Sequence, residues 1–501
     1  MKKYIFALFI LISFLSFSSS CKKFLDREPI STPTDASFWK NEADATSALA
    51  GAYSLLRASL TETMAFYSYG DLPTDEFVST LPGQDYGDVG RINWGLSFDA
   101  TQWNTSRVMN RLRRFDNFYK GINDINRCLK FIPQIPLSAF TSANPVYARN
   151  KLIGEAYFLR AFNYFYMSRI WGDVPLVLQA EDDITTAVNM PRVSQEEVLN
   201  QVIKDLETAI PMLQWGYSVA TERAVRANRG SAYALLAHLY AWKGDNSSYT
   251  KTAEYADSVI QKGGYSFVNR NSYLTIFKGQ SSEGIFEISA NANNEGSGSI
   301  SIAFNTLKTP YLLTRKGNAS FRLQVSTVKA LFPDSTDLRV KNGFAFYNTT
   351  DPICIKYSNI IYTSTNTLGQ LTFPLALNNI IVFRYSDIVL LRAEALAATG
   401  MFSEARTLLN SVRSQANATP FTGPDTKLLE TIFDERGREL FIEGHRFYDL
   451  VRLGRRGILK FGSNRMNQAD FSLGKYYWPI DPVLINFNPL LVQTPFWKDK
   501  L

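Results

Sequence analysis

Two stretches of this 501-residue chain share one construction, and it narrows the fold more than any other feature. Residues 228–243, "NRGSAYALLAHLYAWK", and 250–262, "TKTAEYADSVIQK", are apolar at helical spacing; Gly244 and Asp245 separate them, and Gly263 and Gly264 stop the second. Residues 385–399, "YSDIVLLRAEALAAT", and 403–415, "SEARTLLNSVRSQ", repeat the arrangement around Gly400. In each pair the first helix carries alanines and leucines on one face. The second opens near an alanine, Ala253 or Ala405. Small residues at matched positions let two helices approach closely. Such units bury their faces by stacking pair on pair.

The pairs resemble tetratricopeptide repeats, although the ~34-residue period of those repeats is not kept. Helical spacing also marks residues 42–60, 106–131 and 148–170, the last ended by Gly172. Ser194 and Glu197 form a capping box that opens a helix to about residue 213. The expected fold class is mainly α, with insertions. Residues 61–105 break the pattern with seven glycines and prolines among Tyr67, Tyr69, Tyr86, Trp94 and Trp103, and read as a long aromatic loop region. Residues 266–380 hold short β-like runs, "GIFEISA", "SISIAFN", "ICIKYSN" and "NIIVFRY", inserted between helical pairs. After about residue 474 the chain is punctuated by Pro479, Pro482, Pro489 and Pro495 and reads as irregular.

The N-terminus supplies an address. Lys2 and Lys3 precede an apolar run at 4–17, then Ser18, Ser19, Ser20 and Cys21. The run has about the 7–15-residue length of a signal-peptide core and falls short of the ~20 residues a spanning helix needs. Residues 1–20 are therefore expected to be a signal peptide. Cys21 after small residues suits lipoprotein processing, with diacylglycerol on the thiol; the alternative is an ordinary secretory signal with an incidental cysteine. Residues 21–36 read as a tether, and 37–501 as one domain with loop-rich insertions near 61–105 and 266–380.

Composition removes several function classes. A 45% hydrophobic fraction is ample for a core. The formal charge of +7 falls by two when Lys2 and Lys3 leave. The basic run from Arg446 to Arg456 follows Glu435, Glu439 and Glu443 and contains Asp449, which reads as helix ion pairs and not as a nucleic-acid surface. Only His238 and His445 are available as imidazoles, so neither a zinc site nor a Ser-His-Asp triad is expected. His238 reads as a satisfied core or boundary residue. Cys128 and Cys354 read as buried thiols, with one disulfide the other option. No phosphate-binding glycine loop occurs, and no cofactor or metal is expected. Aromatic residues are abundant, at 14%, and on an exported chain they suit sugar stacking as well as a core.

A set of ordered motifs carries a family resemblance. "CKKFLD" at 21–26, "FW" at 38–39, "GAYSLL" at 51–56, "LRAFNYFYMSRIWGDVPL" at 159–176, "RYSDIVLLRAEAL" at 384–396, "ERGRELFIEGHRFYDLVR" at 435–452 and "YYWPI…NPLLVQTP" at 476–495 resemble the SusD/RagB family of outer-membrane lipoproteins. The resemblance runs along nearly the whole chain after residue 20. It departs at Asp481, Pro482 and Val483, where a proline and a polar pair are usual, and at Phe496, where glycine is common. It implies about four tetratricopeptide-like helix pairs with an irregular ligand region. It implies a lipid-anchored protein on the cell surface that captures an oligosaccharide, or sometimes a peptide, for a SusC-like TonB-dependent transporter. It implies binding without catalysis.

The segment "ELFIEGHRFYDLVR" mixes Glu, His, Arg, Tyr and Asp, but its i,i+3 and i,i+4 spacings read as a structural network between helices, with Gly444 at a bend. Ligand contacts are expected in the aromatic loop. Asp75 and Glu76 resemble the family's acidic pair near the glycan. Trp94 and Trp103 lie among Gly and Asn, where a ring is often exposed, the alternative being that they anchor the loop. Asp75, Arg91, Asn93 and Trp94 offer the mixture of ring and polar groups a sugar needs, and Tyr311 and Tyr362 lie in inserts at 290–320 and 358–380 that could close the site. Two rival readings are a peptide-binding scaffold of the same fold and a glycoside hydrolase with two carboxylates ~5–9.5 Å apart.

Overall fold

The computed structural model describes residues 38–78, 85–95, 106–181, 188–217, 219–291, 301–334 and 336–501. The leader and Cys21 lie outside the described residues. In chain order come α1 (Glu42–Thr61), two short helices α2 (Ala65–Gly70) and α3 (Asp85–Arg91), α4 (Asp116–Phe131), α5 (Pro145–Trp171), α6 (Gln195–Ala209), α7 (Arg229–Lys243) and α8 (Asn246–Lys262). Strand β1 (Gly284–Ile288), strands β2 (Ile360–Thr365) and β3 (Leu371–Ala376), and β4 (Ile380–Arg384) follow. The chain then forms α9 (Tyr385–Ala398), α10 (Phe402–Gln415), α11 (Leu428–Glu439) and α12 (Arg446–Arg455). Among the described residues α1 packs on α4, α5 on α6, α7 on α8 and α9 on α10. Successive pairs touch through α4 and α5, α6 and α7, and α8 and α9. The mainly α, helix-pair scaffold is therefore present.

Local chemistry sets the pair boundaries. The Asn41 side chain accepts from the Asp44 amide, and the Asp44 carboxylate accepts from the Asn41 amide, closing a capping box on α1. Asn228 and Ser231 do the same for α7. The Ser194 hydroxyl accepts from the Glu197 amide at the start of α6. Gly244 between α7 and α8 has φ +75°, which a side chain disfavours, and Asp245 next to it caps α8 by accepting from the Ser248 amide at 2.9 Å.

Helix α5 is the spine. From Leu152 to Trp171 every residue but Tyr157 is buried, so its apolar surface wraps the whole circumference. Two of its buried charges are matched across pairs: Arg160 donates to both Asp205 oxygens, at 2.8 and 2.7 Å, and to Asn126 at 3.0 Å. Glu155 accepts from Tyr53 at 2.8 Å and from Arg226 at 2.7 Å.

The motif at 435–452 forms a network whose carboxylates are buried. Glu439 accepts from Arg270, Arg384 and Arg339 at 2.6, 2.9 and 2.9 Å. Glu443 accepts from Lys356 at 2.6 Å and from Arg384 at 2.7 Å. Glu435 accepts from Arg339, Arg413 and Arg438. These bonds join β4, α10, α11 and the segments that carry Arg270, Arg339 and Lys356. Burial works to raise the Glu435 carboxyl, but three guanidiniums outweigh it and hold it at about 2. Gly444 takes φ +76° at the bend before α12.

Several expectations change. Residues 61–105 are not all loop: α2 buries Tyr67 and Tyr69, and α3 follows. The helix expected at 106–131 breaks between Leu112 and Asp116. There Arg113 turns inward, 2% exposed, and the Phe115 ring packs on Trp171. "GIFEISA" and "NIIVFRY" do form strands, antiparallel and buried as β1 with β4. "ICIKYSN" keeps two strand residues, Ile353 and Cys354. The described part of "SISIAFN" enters a short helix, Ile302–Thr306, in which Ile302, Ala303, Phe304 and Thr306 are buried. Cys128 and Cys354 are free and buried, and burial pushes their thiols up to about 12 and about 11.

Candidate ligand-binding site

The segment after α2 carries the acidic pair. Its residues 76–78 run antiparallel beside 322–324: the Gln324 amide donates to the Glu76 carbonyl at 2.7 Å, and the Val78 amide to the Arg322 carbonyl at 2.8 Å. The aromatic loop and the later insert are thus one structure. Beside them lies a cavity of about 790 Å³, within the range of small-molecule sites, whose wall includes Asp75, Phe77, Gln324, Arg438, Arg446 and Arg465.

The cavity's carboxylates are committed. Asp75 accepts from Arg465 Nε and from the Gly462 amide, both at 2.6 Å. Glu76, 3% exposed, accepts from Arg446 Nε at 2.8 Å. Burial alone would raise the Glu76 carboxyl, but the Arg446 guanidinium overcomes it and holds the group below its usual range. Lys460 bonds to Asp434 at 2.9 and 3.1 Å. Such a wall offers oriented hydrogen-bonding groups, not a free proton donor.

The predicted contacts scatter. Asp75 lines this cavity. Arg91, half-buried, pairs with Asp88 at 2.7 Å. Asn93 is exposed at the end of α3. That helix packs toward the cavity through Gly90, where an added Cβ would lie 3.7 Å from Arg465. Trp94 is a correction: it is fully buried, stacked on Trp478 at 4.1 Å, with its indole N–H on the Val89 carbonyl. It anchors the loop and offers no face to a ligand. Glycine and asparagine neighbours misled the reading because the covering tryptophan comes from 384 residues further along the chain. Trp103 lies outside the described residues. Tyr311 lines a second cavity, of about 640 Å³, with asparagines and lysines. The Tyr362 hydroxyl accepts from the Leu313 amide at 2.8 Å. Arg465, Gln324 and the second cavity's asparagines come from distant segments and carry no local motif.

The two histidines meet. His238 Nε2 lies 2.8 Å from Asp387 Oδ2, and the His445 ring stacks on His238 with centroids 5.7 Å apart. Their ligating atoms lie within 4.8 Å of one another, the one such group among the described residues. Arg436 stands 2.9 Å from Asp387 and 2.8 Å from Asp449, so a guanidinium already balances the aspartate. Burial depresses both imidazoles, His445 to about 4, and both rings lie in the core.

Comparisons with known proteins complete the site's context. A model of the SusD family matches residues 316–497, and one described as "Starch-binding associating with outer membrane" matches residues 23–241. SusD-like protein P38 of Formosa agariphila is 28% identical over 527 aligned positions, covering 97% of each chain. The starch-binding protein SusD of Bacteroides thetaiotaomicron is 23% identical over 86% of this chain and 85% of its own. A solved SusD homolog from Bacteroides thetaiotaomicron superposes with a TM-score of 0.79 at 27% identity, over 92% of this chain and 99% of that one. The structure of B. fragilis NanU, 23% identical with a TM-score of 0.71 over 94% of this chain and 100% of its own, shares the fold.

Proposed function

This chain belongs to the SusD family, and from that membership we propose that it captures a glycan at the outer membrane and delivers it to a SusC-like TonB-dependent transporter, without chemistry. Family matches from residue 23 to 241 and from 316 to 497 carry the reading. Cys21 is the proposed lipid attachment point, residues 21–36 the tether and 37–501 the single binding domain. Lipidation would hold the body at the cell surface.

The proposed contacts are Asp75 in the larger cavity, Arg91 at the end of the adjoining α3 and Asn93 just past it, the Trp103 ring and Tyr311. Trp94 leaves the set. A hydrolase would need a carboxyl kept protonated as an acid beside a second carboxylate. Asp75 and Glu76 are each engaged by an arginine, which favours capture over cleavage.

Affinity gel electrophoresis of residues 22–501 through plant, host and microbial polysaccharides tests this. The expected result is retardation by a subset of polymers whose size is unchanged afterwards. Shortened polymer would replace capture with hydrolysis, and retention only of peptides would replace the glycan.

A further inference from the structure

The cavity holding Tyr311 differs from the first in its charge. Its wall contains three lysines, Lys278, Lys341 and Lys356, and no carboxylate. Lys356 is spent: it is buried and donates to Glu443 at 2.6 Å and to the Phe441 carbonyl at 2.8 Å. Lys278 and Lys341 are exposed and form no ion pair among the described residues. Two lysines with no ion pair among the described residues therefore line one concavity of about 640 Å³.

The rest of the wall is built to hold polar groups still. Asn378, 9% exposed, donates to the Phe277 and Lys356 carbonyls at 2.8 and 3.3 Å and accepts from the Asn359 amide at 3.0 Å, so it braces the wall. Asn342 donates to the Arg270 carbonyl at 2.7 Å. These bonds fix the amides from behind. Asn271 and Ser272 stand exposed at the rim, and Tyr311 adds a half-buried ring. Amides and hydroxyls both donate and accept, which matches vicinal sugar hydroxyls. Lysines add charge-assisted bonds to anionic oxygens.

We propose that this second cavity binds an anionic saccharide, a sugar bearing carboxylate or sulfate groups, with Lys278 and Lys341 as the charge-reading residues. The proposal rests on the glycan-capture reading and names the substrate class. Neutral sugars would leave both ammonium groups unmatched.

The test is affinity electrophoresis of the full chain in non-ionic detergent through polygalacturonate, dextran sulfate and neutral dextran, repeated with added salt. Retardation by polygalacturonate assigns carboxylates, by dextran sulfate sulfates, and either is expected to weaken with salt. The Lys278→Gln/Lys341→Gln variant is expected to lose about tenfold or more in affinity for the retarding polyanion. Lys204→Gln/Lys262→Gln removes the same charge from exposed helical sites outside the cavity and is expected to leave affinity intact. Equal losses in the two variants would mean non-specific attraction and overturn the proposal. Retardation by neutral dextran alone would overturn it while leaving glycan capture standing. Capture of another neutral glycan, with both polyanions ignored, would do the same. Failure of every glycan would overturn both.

Discussion

Trp94 shows how one side chain changes meaning between chain and fold. Its ring is sandwiched among Trp478, Phe447 and Trp497, with centroids 4.1, 5.9 and 6.1 Å away. Trp94→Ala is expected to cost about 3–5 kcal/mol in stability, read by urea denaturation, and to leave glycan retention per folded molecule unchanged. Two buried titratable groups pull stability in opposite directions with pH. His445 is depressed to about 4 from 6.5, so its contribution is complete above pH 6.5 and lost as pH falls toward 4. Glu287 is raised by burial to about 7 from 4.5, against hydrogen bonds from Asn379 and the Gln280 amide. Its contribution is complete below pH 4.5 and lost as pH rises toward 7. Glu287→Gln keeps the shape and removes the second effect. Unfolding free energy measured between pH 4.5 and 7 is expected to rise more steeply with pH in this variant than in the parent. An unchanged slope would mean that Glu287 is ionised in the fold.

At the scale of elements, the contact between α2 and the bend before α12 is as tight as backbones allow. A Cβ on Gly70 would lie 2.2 Å from the Gly444 carbonyl oxygen, a distance that backbone must move to relieve. Asp71 next to it accepts from the Gly444 amide at 2.6 Å. Gly70→Ala is expected to lower stability by about 1–3 kcal/mol or more, measured as a fall in Tm. The helix pairs themselves were legible: α7, α8, α9 and α10 begin and end within four residues of the expected bounds, because capping residues and αL glycines act locally. The helices inside 61–105 were not legible. Their burial depends on partners such as Tyr166, Trp171 and Phe321, supplied by other elements. The same holds for the candidate cavity, where Asp75 lies in a motif that resembles the family's acidic pair while Arg465, its ion partner, lies in none.

For the whole molecule, the buried network around Glu439 couples segments up to 169 residues apart. Arg384→Met would strand Glu439 and Glu443 without their shared guanidinium and is expected to destabilise by about 3–5 kcal/mol, seen as a lowered denaturation midpoint. At the membrane, Cys21→Ala is expected to move the protein from the outer-membrane fraction to the soluble fraction and to abolish palmitate labelling, whatever happens to binding. The sequence by itself determined the helix-pair class and carried the family's ordered motifs, since periodicity, caps and motifs are properties of neighbouring residues. Tertiary structure decided which aromatic rings are core and which carboxylates arginines claim. It also decided which lysines are left unmatched, because burial and charge balance are sums over residues that only the folded chain brings together.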